Sequence, residues 1–254
     1  MLHIAPSSLY KYKPLSRKDD LCRTLDIIET GRIFTSPLDK LNDPMEGKAV
    51  VPVVKGYAGI SMPRAIERMP RVQYRDLDQC RVLSLSETPV SPQMWAYYAD
   101  GYKGVCLQFG RMPFEVEPVR YAPRPYVVDG VAVDSKDGAD ITRARLLTKH
   151  IDWSHELEWR AIFIGEECGE YVSLGEGNPT AVILGHKCES SATDKVLLAC
   201  EERGIPVYQT YLSDWEFCVR IVPFGFEPER SGEPLRKQVF GECERRRIPM
   251  IDTW

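Results

Sequence analysis

Short runs in which apolar and polar residues alternate with period two are separated along this chain by stretches with the three-to-four spacing of a helix. LYKYKPL opens with the first pattern, placing Tyr10 and Tyr12 on one face of a strand and Lys11 on the other. From about Lys18 the stripe Leu21, Leu25 and Ile28 predicts a helix, with Gly31 as its C-cap. RIFTSPL then reads as a strand, and the Asn-Asp-Pro of DKLNDPMEG as a turn. RVLSLSE (81–87) is a further strand, and SPQMWAYYAD a proline-started helix ending at Gly101. GVCLQF and EPVRYA read as a pair of strands. A helix is expected over about Ile141 to His150, a strand at AVILG, and a helix capped at Ser190 or Ser191 and closed by Gly204. IPVYQTYL and WEFCVRIVPF are the last strands. Irregular insertions are expected near 50–79 and 124–138, and a polar, basic arm or tail over 226–254. The fold class is α+β: a single domain over 1–225 with a mostly antiparallel central sheet flanked by helices.

The stretch DWSHELEWRAIFIG (152–165) departs from simple alternation. As one extended strand it puts Glu156, Glu158, Arg160, Ile162 and Ile164 on one face and Leu157, Trp159, Ala161 and Phe163 on the other. The strand is apolar on both faces from Ala161, so its charged beginning sits where a buried strand leaves the core. Carboxylates at such a place are costly unless paired or used. One reading is a Glu–Arg ion pair at a strand end. The other is a pair of working carboxylates, with Glu158, nearer the apolar run, the more buried.

Composition narrows the chemistry. The 254 residues are 43% hydrophobic and carry a net charge of −4, so the chain as a whole is no polyphosphate binder, and any nucleic-acid contact needs a local patch. Its eight cysteines are scattered singly, several within apolar runs, which predicts reduced thiols in a cytoplasmic protein and no metal site. The start, MLHIAPSSLYKYK, lacks a long apolar core, and no run long enough to cross a membrane follows, so no membrane partner is expected. No Walker loop, GxGxxG or G-x-S-x-G occurs. The histidines His3, His150, His155 and His186 fall in unrelated places. Trp95 reads as core.

Read in order, LYKY, FTSPLDKLNDPMEG, LSLSETPVSPQMWAYYADGYKGVCLQFG, VRYA, TKHIDWSHELEWR and VILG together resemble a bacterial family known as domain of unknown function DUF2971. The match runs over about residues 9 to 225. More distantly, the layout resembles the ADP-ribosyltransferase superfamily: an aromatic-basic first strand, a helix ending in Gly, a Ser before Pro, and a late E-x-E strand. That resemblance implies a split sheet and an NAD-consuming transferase or glycohydrolase, in the setting of a bacterial toxin or phage-defence effector. It implies Glu158 as the carboxylate facing an oxocarbenium-like state and Glu156 as the group that positions or deprotonates the acceptor. It places contacts to NAD on Tyr10, Lys11, Tyr12, Ser36, Asn42, Asp43, Tyr97, Tyr98 and Arg160, with Ser36 supporting Glu158. The acceptor stays open among nucleic acid, protein and water, and the C-terminal arm offers a surface to a protein partner. Two other readings stand beside this one. A non-catalytic module would use the same aromatic and acidic motifs to shape a ligand or protein pocket. A metal-dependent nuclease would use Asp43, Glu46, Glu156 and Glu158. Asn42-Asp43-Pro44 is either an Asx-turn or part of a cleft lined by Asp43 and Glu46.

Overall fold

The computed structural model describes residues 6–50, 77, 80–127, 138–165, 169–213, 216–229, 232–251 and 253. The expected insertions therefore lie largely outside the described residues. Of their edges, Ala49–Val50 and Tyr126–Val127 form a short parallel pair. The protein is α+β, with its main sheet mostly antiparallel and helices around it. Contacts divide the chain into two compact units. One comprises the described residues of 34–84 and 114–172; the other comprises those of 6–33, 85–113 and 173–254.

In the second unit the strand order is Val219–Pro223, Val207–Leu212, Ala181–Leu184, Val105–Phe109, Leu9–Lys13, ending at Leu85 and Ser86 of the strand Cys80–Ser86. All pairings are antiparallel except Ala181–Leu184 with Val207–Leu212, which are joined by the helix Ser190–Arg203 and run parallel. Ala181–Leu184 is buried at every position, as expected of a strand covered on both faces. The helix Lys18–Thr30 ends at Gly31 in the left-handed region, as the Leu-Ile stripe predicts, and packs against Ser190–Arg203. Trp95, Tyr10, Tyr12, Ile183 and Tyr208 belong to one core cluster, with Trp95 fully buried and its Nε1–H donated to Pro89 O at 2.8 Å.

Two expectations change here. GVCLQF does not pair with EPVRYA: Val105–Phe109 lies between Leu9–Lys13 and Ala181–Leu184. Both alternatives satisfy the same period-two pattern, and only the long-range burial of Val105, Cys106, Leu107 and Phe109 on both faces selects a central position. The stretch 226–254, read as a polar arm, carries the helix Leu235–Arg246. Its Val239 and Cys243, four residues apart and both buried, pack with Val222 of the sheet. Tyr211, Phe226, Leu235, Ile248 and Met250 pack against the same cluster.

Backbone closeness in this unit rests on glycine. A Cβ on Gly185 would lie 2.0 Å from Tyr102 O, and one on Gly104 would lie 2.2 Å from Lys13 O. Gly185→Ala is therefore expected to destabilise the protein by about 2–3 kcal/mol through forced backbone movement. A chemical-denaturation midpoint unchanged from wild type would contradict this.

The first unit holds the strand run Ser36–Pro37, Cys80–Ser84, Glu158–Ile164 and Glu117–Pro118. Its core cluster is Cys80, Val82 and Leu146, with Leu38, Leu41, Leu77 and Ile162 packed around it. The helix expected to reach His150 stops earlier, spanning Gly138–Leu146. Thr148–His150 instead forms a strand pairing in parallel with Arg120–Ala122, so that Lys149 stands opposite Tyr121. This change of element builds the site.

Candidate functional site, a buried carboxylate and cation network

Glu156 and Glu158 do not share a strand. Glu156 ends a 3₁₀ helix, Ile151–Glu156, and Glu158 begins the strand Glu158–Ile164. Between them Leu157 adopts φ 44°, ψ 53°, a left-handed conformation that a residue with a Cβ rarely takes. The turn at Leu157 leaves its own side chain 45% exposed and directs both neighbouring carboxylates to one ammonium. The two glutamates are equally buried, each 4% exposed, so the expected difference in burial between them is absent.

The ammonium is that of Lys149, itself 8% exposed. Its Nζ donates to Glu158 Oε2 at 2.9 Å and to Glu156 Oε2, and lies 5.1 Å from the centroid of the Trp153 ring. The indole face supplies a third, weaker partner for the cation.

Arg160 uses its whole donor fork. Nε donates to Glu158 Oε1 at 2.7 Å, and Nη2 to Glu158 Oε2 and Glu46 Oε2, both at 3.0 Å. Nη1 donates to Glu46 Oε1 and, at 2.5 Å, to Leu146 O. All five N–H groups of the guanidinium are thereby engaged, in a residue only 1% exposed. Glu46 reaches the network through the turn that carries it. Asp43 Oδ1 accepts the Met45 N–H at 2.8 Å, Asp43 O accepts the Glu46 N–H at 3.1 Å, and Arg145 Nε donates to Gly47 O at 2.9 Å. Asn42-Asp43-Pro44 is thus an Asx-turn, and the same turn delivers Glu46. Tyr121 completes the arrangement, its hydroxyl oxygen accepting the Glu158 N–H at 2.7 Å.

Three carboxylates, those of Glu46, Glu156 and Glu158, are directly bonded to two cations, Lys149 and Arg160. The charges respond unequally. Burial would raise the pKa of Glu158, but Arg160, then Lys149, then hydrogen bonds from Arg160 and Ser84 hold it down to about 2. Burial raises that of Glu46 from its ordinary value, against the pull of its hydrogen bond and ion pair with Arg160. Burial likewise opposes the charge on Lys149, and the two nearby glutamates more than restore it, raising its pKa.

A carboxylate whose folded-state pKa is depressed from 4.5 to about 2 contributes stability that is complete above the higher value and lost as pH falls through the lower. Glu46, shifted the opposite way, acts oppositely: its share is present at low pH and lost as pH rises. Acid unfolding is therefore expected to gain a component on the order of 3 kcal/mol between pH 4.5 and about 2 from Glu158. Glu158→Gln should flatten the low-pH limb of the stability curve. Limbs of equal slope in the two proteins, measured by urea unfolding, would count against the assignment.

Of the residues singled out in the sequence, Asp43, Glu46, Glu156, Glu158 and Arg160 lie in this unit, and the last four form the network. Asn42 of the same turn is exposed. Ser36, expected to support Glu158, pairs instead with Val82; the serine that hydrogen-bonds Glu158 is Ser84, two residues further along that strand. Tyr10, Lys11, Tyr12, Tyr97 and Tyr98 belong to the other unit. There Tyr10 and Tyr12 are buried, Tyr12 donates its hydroxyl to Thr88 O at 2.8 Å, and Tyr97 is 68% exposed. Lys149, Ser84, Tyr121 and Trp153 are the residues that sequence reasoning missed. Ser84 alone carries a signal, as a polar position inside an apolar strand; the pattern around Lys149 reads as a helix, which would turn its side chain another way.

Among the described residues no group of His, Cys, Asp and Glu is arranged to hold a metal ion, and Glu46, Glu156 and Glu158 instead bind ammonium and guanidinium nitrogens. Nor, among them, is any helix long and apolar enough to cross a membrane. No protein-family model, curated protein or solved structure matches the chain.

Proposed function

We propose that the protein is an NAD-consuming enzyme of the ADP-ribosyltransferase type, a transferase or glycohydrolase, in which Glu158 faces the positive charge that develops as the nicotinamide–ribose bond breaks. The observation that carries this reading is the convergence of the buried carboxylates of Glu156 and Glu158 on one ammonium, Lys149 Nζ, with Glu158 also fixed by Arg160. A buried ion network of this size adds little stability over an apolar core of equal volume, so charge kept there has its use elsewhere. A fixed carboxylate in a desolvated place stabilises a developing cation more than the dispersed charge preceding it.

In the step proposed, the C–N bond to nicotinamide breaks and its electron pair leaves with the ring. The ribosyl carbon, now electron-poor, takes an oxygen or nitrogen of the acceptor, and Glu156 accepts the acceptor's proton. Arg160, whose Nη1 donates to Glu46 Oε1 and Leu146 O, keeps the Glu158 carboxylate in place through Nε and Nη2. Lys149 holds the two glutamates at one point until a ribose hydroxyl takes its position on Glu158. The order of motifs, which resembles the DUF2971 family and the E-x-E layout of ADP-ribosyltransferases, supports the same reading. The toxin or phage-defence setting and the acceptor remain part of the proposal.

A second reading rests on a specific observation too. Both oxygens of Glu158 already accept from cations, as in a network whose role is to shape a non-catalytic module. The two are separated by incubating the protein with NAD and measuring free nicotinamide, with water alone and with nucleic acid or protein present, alongside thermal shift with NAD. Nicotinamide release above a no-protein control supports the enzyme. With neither release nor an NAD-dependent shift, the binding module takes its place.

A further inference from the structure

The unit that contains residues 173–254 has a cavity of about 360 Å³ at the carboxyl end of the strand Ala181–Leu184, beside its parallel partner Val207–Leu212. Connections leaving parallel strands converge at this end of a sheet. Leu184, Leu197 and Phe224 give the cavity apolar walls, and His186, Ser190, Thr193, Asp194 and Gln209 give it polar ones; no lysine or arginine lines it among the described residues.

His186 is exposed yet held. Thr210 Oγ1 accepts its backbone N–H at 2.8 Å and lies 3.1 Å from its Nδ1. The ring of Tyr102 packs on the imidazole with centroids 4.9 Å apart, and is itself stacked on Trp95 at 5.7 Å. Tyr102 adopts φ 73°, in the left-handed region, and its carbonyl accepts the Lys187 N–H at 3.0 Å. Backbone strain and a stack of rings thus fix a surface side chain that would otherwise rotate freely, the kind of support that binding residues need. Burial first, then the neighbouring charge of Lys187, pushes the His186 pKa below its ordinary value, so the ring is neutral near pH 7.

The lining therefore offers one carboxylate, an imidazole, the hydroxyls of Ser190 and Thr193 and the Gln209 amide beside apolar walls, with the cation of Lys187 near His186 but outside the lining. A carboxylate only accepts hydrogen bonds and calls for a ligand that donates them. Apolar walls call for the face of a ring, and the volume lies at the small end of the range of about 300–1,000 Å³ for small-molecule sites. We propose that this cavity binds a neutral ring bearing vicinal hydroxyls, of monosaccharide or nucleoside size, with Asp194 accepting from the hydroxyl pair. The proposal does not depend on NAD cleavage.

The test is titration of the full chain with methyl ribofuranoside, glucose and adenosine, followed by calorimetry and by NMR. At least one is expected to bind saturably, and Asp194→Asn to weaken that binding about tenfold or more, the loss of one charge-assisted pair. Asp194 is exposed, so its substitution should leave the melting temperature unchanged. Binding of adenosine alone assigns the site to nucleosides; binding of a simple sugar assigns it to monosaccharides. Absence of saturable binding by all three, or affinity unaltered in Asp194→Asn, overturns the proposal.

Discussion

Replacing Arg160 with methionine is expected to lower the stability of the protein by about 3–5 kcal/mol, the largest effect of any single change in the network. Methionine approximates the volume of the arginine stem, so the loss is not one of packing. It comes from leaving Glu158 and Glu46, 4% exposed as a residue and 5% exposed in its side chain, without the fork that neutralises both. Glu158 would keep its bond to Lys149, which Glu156 shares. Leu146 O would lose its donor as well. Adding Glu46→Gln to Arg160→Met should recover part of the loss, because it removes one of the two orphaned charges. Guanidinium unfolding of the wild type and both variants measures this. A change below about 1 kcal/mol for Arg160→Met would mean that water reaches the carboxylates.

The second large effect concerns turnover. Under the proposed function, Glu158→Gln keeps the shape of the side chain but removes the charge opposite the developing cation. Nicotinamide release should fall on the order of 10²–10³-fold, the usual cost of one preorganised electrostatic group. Glu156→Gln should instead depress transfer to the acceptor more than hydrolysis of NAD. A non-catalytic network predicts a different outcome: both changes lower the melting temperature, by an amount equivalent to about 1–3 kcal/mol, through amide N–H groups turned toward Lys149 and Arg160. Measuring nicotinamide, labelled acceptor and melting temperature on the same three proteins distinguishes them. Equal turnover in wild type and Glu158→Gln would remove Glu158 from the chemistry.

Much of the local structure is legible in period and punctuation. The stripe Leu21, Leu25, Ile28 with Gly31 gives the helix Lys18–Thr30 and its left-handed cap. Ser91 before Pro92 gives the start of Pro92–Tyr98, with the Ser91 side chain accepting from Met94 N–H. Gly204 closes Ser190–Arg203. The charged opening of the Glu158–Ile164 strand and its Glu158–Arg160 pair follow from alternation, because residues two apart on a strand share a face. Other features carry no local sign. A 3₁₀ turn and a left-handed Leu157 break the alternation between Glu156 and Glu158, and nothing in the residue type of leucine announces a positive φ.

The sequence by itself therefore determined the α+β class, most element positions, Trp95 as core, and the place along the chain where charge meets the apolar interior. Only the tertiary structure decided which charges neutralise one another. Glu46 and Arg160 stand 114 residues apart, and Lys149 reaches Glu158 because Thr148–His150 pairs with Arg120–Ala122 and does not extend a helix. Hydrophobic period is a property of neighbours along the chain. The partner of a buried charge is set by the free energy of desolvation, which depends on everything that surrounds the charge once the chain has closed upon itself.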